Sequence, residues 1–87
     1  MFKKTYVSVK ANFRSDGVIL PYAIQWEDGH IYNIDRILYI KPAASSKAGG
    51  QGDRYTVIIN GHEKHLYFER SSRLSGNIVG RWFVERI

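Results

Sequence analysis

The sequence holds no cysteine, two prolines, one methionine and no long apolar run. Without cysteine there are no disulfides, no thiolate chemistry and no route to most structural zinc sites. Such a chain suits a reducing compartment, so the cytoplasm is the expected location. No apolar run approaches the length of a membrane span. Met1-Phe2-Lys3-Lys4 passes straight into an alternating pattern instead of the apolar stretch of a signal peptide. No targeting segment and no membrane association are expected, and no internal repeat is evident.

What is present is a rich core in a short chain. The 87 residues have room for one domain, residues 1–87, with one core. Small domains bury a modest fraction of their surface. Here 44% of residues are hydrophobic and 14% aromatic, which offsets chain entropy without staples. Thirteen Lys and Arg against eight Asp and Glu leave a net charge of +5. That balance favours acidic partners: nucleic acid, an anionic surface or an acidic protein. Small domains are also often basic for no specific reason.

A period of two dominates the chain. Val7, Val9, Ala11 and Phe13 share one parity; Ser8, Lys10 and Asn12 share the other. This is the pattern of a half-buried antiparallel strand. Arg14-Ser15-Asp16-Gly17 supplies a turn, and a second strand runs from Val18 to Trp26. Val18, Leu20, Tyr22, Ile24 and Trp26 would face the core. Pro21 cannot donate to a ladder, so this strand is expected at an edge or bulged near Pro21. Glu27-Asp28-Gly29 marks the next hairpin turn.

The third strand, Ile31 to Ile40, alternates imperfectly. A bulge or sharp coil near Asp35-Arg36 resolves the break, and burial of both faces is the alternative. From Lys41 to Asp53 no large apolar residue appears, so a long loop is expected; a short helical turn could form at 43–48. Asn60-Gly61 is the preferred pair for a type I′ turn. It sets Ile59 opposite His62, Val57 opposite Lys64 and Tyr55 opposite Leu66, sending Tyr55, Val57, Ile59, Leu66 and Phe68 into the core. A polar loop spans 69–77, and the last strand, 78–86, turns Trp82 and Val84 to one face. The expected fold is all-β: a small six-stranded antiparallel barrel-like sheet, SH3-like or similar, with one long loop at about 41–53.

No constellation points to catalysis. His62-Glu63-Lys64-His65 resembles a ligand pair, but residues three apart on a strand point to opposite faces. No metal is expected there. Glu27 and Asp28 read as turn acids, and Asp35 beside Arg36 reads as an ion pair or a bulge contact. No serine sits beside a base and an orienting acid. Ala48-Gly49-Gly50-Gln51-Gly52 lacks the Gly-Lys-Ser/Thr and the helix of a phosphate loop. No cofactor is implied, and the chain reads as a non-enzyme.

The basic and aromatic residues together are the most informative feature. Lys41, Lys47 and Arg54 flank the long loop, with Gly49 and Gly50 exposing its backbone. Arg70 and Arg73 flank the later loop, and Tyr6, Tyr39, Tyr67 and Phe83 lie on the non-core parity. Exposed rings beside cations stack bases and neutralise phosphates. The same residue types cover protein partners, or form a minor second core.

Trp26-Glu27-Asp28-Gly29-His30-Ile31-Tyr32-Asn33-Ile34-Asp35-Arg36-Ile37-Leu38, the stretch from Ala43 to Gly52, and Arg81-Trp82-Phe83-Val84-Glu85 together resemble a family of small uncharacterised bacterial proteins. The resemblance covers most of the chain and implies a stand-alone domain, but no activity. The polar loop before Arg81 is longer than that pattern has. The resemblance turns attention to the 43–52 loop and to the Trp26–Arg36 hairpin, including Arg36. The expected function is a non-catalytic binding module contacting nucleic acid through its basic loops and exposed tyrosines. A protein-interaction domain, as a homodimer through an unpaired edge or with a foreign partner, is the alternative.

Overall fold

The structure, a computed structural model, describes residues 3–42, 52–70 and 80–86. Among these residues seven strands form in chain order: β1 (Lys3–Phe13), β2 (Ile19–Gln25), β3 (Ile31–Asn33), β4 (Arg36–Lys41), β5 (Asp53–Ile59), β6 (His62–Arg70) and β7 (Gly80–Arg86). They make one antiparallel sheet in the order β3-β2-β1-β7-β6-β5-β4, curled into a half-barrel. The fold is all-β and barrel-like, with one strand more than the alternation predicts. The extra strand arises because the 31–41 segment changes partner midway. Ile34 N donates to Tyr22 O at 2.9 Å, and the next amide, Asp35 N, donates to Ile58 O at 2.8 Å. Consecutive residues thus bond the two ends of the sheet, which brings β2 and β5 onto one segment of chain. Asp35 also accepts from Asn60 N at 3.1 Å, tying this corner to the hairpin tip.

The turns follow local chemistry. Asn60 and Gly61 take φ of 52° and 78°, as a type I′ pair requires. The register that follows is Ile59 to His62, Val57 to Lys64 and Tyr55 to Leu66, as the two-residue turn dictates. Asp16 Oδ1 accepts from Val18 N at 3.1 Å, and Asp28 Oδ1 accepts from His30 N at 2.9 Å. Both are aspartate side chains closing their own turns.

β1 serves two neighbours: residues 3–7 pair with β7 and residues 8–13 with β2. On β2 the step from Pro21 to Ala23 spans a single step of β1, from Ala11 to Lys10, so Tyr22 is the inserted residue. The bulge expected near Pro21 is there. β2 lies between β1 and β3, but β3 pairs only with Ala23, Ile24 and Gln25, so among the described residues Pro21 itself has a paired strand on one side. One extra residue reverses the faces. Ile19 and Ile24, of opposite parity, therefore both reach the core, and Tyr22 is exposed instead of buried. Phe13, at the end of β1, is also exposed, although it lies opposite Ile19.

The core lies on the concave face. Ile24, Tyr55, Val57, Leu66 and Phe68 form its buried centre, with Val7, Val9, Trp82 and Val84 packed against them. Trp82 stands 5.1 Å from Tyr55 and 4.8 Å from Phe68, ring centre to ring centre. The Tyr55 hydroxyl donates to Ile19 O at 2.8 Å, linking β5 to β2 across the curl. The 43–48 turn and most of the two polar loops lie outside the described residues.

Candidate functional site

The cross-strand register assembles one row over five strands of the convex face. Lys41 lies opposite Arg54, Arg54 opposite Tyr67, Tyr67 opposite Phe83, and Phe83 opposite Tyr6. One row along, Tyr39 faces Thr56, and Thr56 faces His65; Arg36 lies beyond, opposite Ile58. Arg36, Tyr39, Lys41, Arg54 and Tyr67, far apart in the chain, therefore share one face of β4, β5 and β6. A register shift between Ile37 and Tyr39 makes this so. Without it Arg36 and Tyr39 would have opposite parity.

Not every ring on this face is open. Phe83 is 1% exposed, which corrects the expectation of an exposed ring. Tyr67 stacks on it at 4.9 Å, Tyr6 meets it edge-on at 5.9 Å, and Lys4 Nζ lies 4.6 Å from its centre. This is the minor second core, a satellite cluster on the far side of the sheet. The Arg81 guanidinium covers Tyr6 at 4.1 Å, and the Tyr6 hydroxyl donates to Glu69 at 2.8 Å. Lys4 and Arg81 also approach Glu69, at 3.4 and 3.7 Å. Tyr39 is the open ring, 54% exposed, with exposed Arg36 and Lys41 on the same face.

The electrostatics follow from these contacts. The hydrogen bond to Glu69 pushes the Tyr6 hydroxyl above its ordinary pKa, with burial and the Glu69 charge adding to the shift. Burial raises Tyr67, helped by the hydrogen bond to Glu85 and opposed by Arg54. Burial alone would raise Glu69, but the Tyr6 hydroxyl, Lys4 and Arg81 outweigh it and hold the carboxyl below its usual range.

Arg70 does not join this face. It has the opposite parity and donates to Asp53 at 2.9 Å. Lys47, Gly49, Gly50 and Arg73 lie outside the described residues. Gly52, the last glycine of the loop, has a packing role: a Cβ there would run into the Phe68 carbonyl. His62 and His65 pair with Ile59 and Thr56 and so point to opposite faces of β6. Among the described residues no group of three or more His, Asp or Glu is placed to hold a metal ion, and no helix is long and apolar enough to cross a membrane.

Compared with known proteins, the chain matches no family model, no curated protein and no solved structure.

A second feature lies on the concave face, and the sequence pattern did not single it out. At the end of the half-barrel nearest the Asn60-Gly61 turn, a cavity of about 640 Å³ opens between Ile24, Trp26, Tyr32, Ile59, Lys64 and Val84. The signal for it was present in the alternation. His62 and Lys64 share the parity of Leu66 and Phe68, so polar residues continue an inward-facing row where apolar ones would close it.

Proposed function

We propose that this chain is a non-catalytic binding module whose convex face takes a nucleic acid strand. The observation that carries the reading is the convergence of Arg36, Tyr39, Lys41, Arg54 and Tyr67 on one face. Tyr39 offers an open ring for a base, and base–aromatic stacking is worth about 1–3 kcal/mol per base. Arg36 and Lys41 flank it as exposed cations for phosphates, with Arg54 beside Lys41. The exposed ring favours single strands, whose bases are free to stack. The absence of cysteine suits work in the cytoplasm.

Titration of fluorescent single- and double-stranded oligonucleotides at several salt concentrations tests this. Three phosphate contacts on a single strand give a slope of log affinity against log salt of about −2. Lys41→Gln should flatten the slope by about 0.7, and Tyr39→Ala should weaken binding with little change in slope. No binding at low salt refutes the proposal.

One observation favours a protein partner as the second reading. Among the described residues β4 has a hydrogen-bonded neighbour on one side only, and Tyr39 and Ile40 are exposed on its two faces. Strand addition at such an edge would tolerate salt. Light scattering after size exclusion tests self-association.

A further inference from the structure

The concave cavity is built differently from the convex face. Its floor is apolar: Val57 and Leu66 are fully buried, and Ile24 nearly so. Trp26, Tyr32, Ile59 and Val84 continue this surface towards the mouth. Its volume, about 640 Å³, falls within the range of small-molecule pockets rather than of packing defects.

Two cations, Lys64 and Arg86, border the mouth. The β6–β7 pairing ends at Tyr67 opposite Phe83; beyond it Leu66 and Lys64 of β6 and Val84 and Arg86 of β7 line the cavity. Arg86 in turn lies opposite Lys3 on β1. Arg86 and Lys3 thus form a short row of cations across β7 and β1, and Lys64 borders the same cavity from β6, all on the parity that faces the core. Like charges opposite one another destabilise a sheet. One acid relieves the row: Glu27 accepts from Arg86 at 3.0 Å, while the Arg86 guanidinium lies 5.3 Å from the Trp26 ring centre. Glu63 and Glu85 border the cavity from strand positions of the opposite parity. Lys64 stands opposite buried Val57, where no acid is paired with it among the described residues.

The geometry points to a binding site for a small organic anion with an apolar body, such as a medium-chain or aromatic carboxylate. The apolar part fills the cavity between Trp26, Tyr32 and Val84. The carboxylate meets Lys64, with Arg86 and Lys3 adding charge. Complementarity decides the class of occupant: the apolar floor rejects a bare inorganic ion, and the cation row favours an anion over its neutral analogue. The site lies on the opposite face from the proposed nucleic acid surface and does not depend on it.

Octanoate titrated into the full chain, followed by calorimetry and by amide chemical shifts, tests the inference, with octanol as the neutral control. Saturable one-site binding is expected, with shifts at Trp26, Tyr32 and Lys64 and none at Tyr39 or Lys41. A charge-assisted contact makes octanol at least about tenfold weaker, and Lys64→Gln should cost octanoate about tenfold while leaving octanol unchanged. Lys64 is exposed, so the variant should keep its fold; Arg86→Gln is the second variant and should weaken octanoate more modestly. Absence of saturable binding, equal affinity for octanol, or shifts confined to the convex face would each overturn the assignment.

Discussion

Thr56 sits at the centre of β5 with its side chain fully buried, and its Oγ1 has no hydrogen-bond partner among the described residues. A buried hydroxyl left unpaired costs about 1–3 kcal/mol. Thr56→Val removes that group, keeps the β-branched shape and replaces oxygen by a methyl, which adds up to about 0.8 kcal/mol of apolar burial. Shape mismatch takes back part of this, so a net stabilisation of about 1–2 kcal/mol is expected. For a domain of this size that raises the melting temperature by roughly 5–10 °C. Thr56→Ser runs the other way: it keeps the orphan hydroxyl and deletes a buried methyl, a loss of about 1 kcal/mol. Urea unfolding followed by Trp fluorescence measures both, since Trp82 packs beside the β5 core residue Tyr55. Equal m-values would show that the native and unfolded ensembles are unchanged. If Thr56→Val unfolds at lower urea than the parent chain, the hydroxyl is hydrogen-bonded in solution and the reasoning is wrong.

Three further outcomes are expected. Tyr55→Phe leaves the Ile19 carbonyl without its donor and should cost about 1–2 kcal/mol in the same urea experiment; no loss would mean that water replaces the bond. Gly80→Ala places a Cβ 2.6 Å from Phe68 Cζ and 2.7 Å from the Glu69 carbonyl, so it should destabilise the chain by about 1–3 kcal/mol, and a melting temperature equal to the parent's would refute that crowding. The folded state raises the pKa of Tyr6, Tyr55 and Tyr67 and so favours their neutral forms; that stability is complete below the unfolded tyrosine value of about 10 and is lost as pH rises through the folded values. The phenolate absorbance of these three should therefore appear late and together with unfolding. Tyr6→Phe should remove part of this alkaline dependence, and it should also release Glu69, whose lowered pKa gives stability that is lost as pH falls through its folded value. Ordinary, independent tyrosine titration would count against these contacts.

The local grammar of the strands determined a great deal by itself. A two-residue Asn60-Gly61 turn leaves a single sensible register, so the pairing of Tyr55 with Leu66 and of Val57 with Lys64 is legible in the residues alone. The alternation of Val7 with Val9 and of Trp82 with Val84 likewise named the concave face. Such readings work because the side-chain period of a strand is two and a tight turn transmits it without slippage. They fail wherever an inserted residue shifts the period. The bulge at Tyr22 and the irregularity between Ile37 and Tyr39 each reverse a face; Pro21 announces the first, but nothing in the alternation marks the second.

The tertiary structure alone decided what lies side by side. The curl brings β2 and β5 to the consecutive amides of Ile34 and Asp35, which divides one expected strand into β3 and β4. Packing across neighbouring strands buries Phe83 and covers the Tyr6 ring with Arg81, leaving Tyr39 open. The parity of His62 and Lys64 was readable, but the cavity beneath them was not. A void depends on how far the sheet curls and on which side chains fill the space across it, and both are properties of the assembled fold. The missing cysteines excluded staples from the outset; the contacts across the curl show what holds the chain without them.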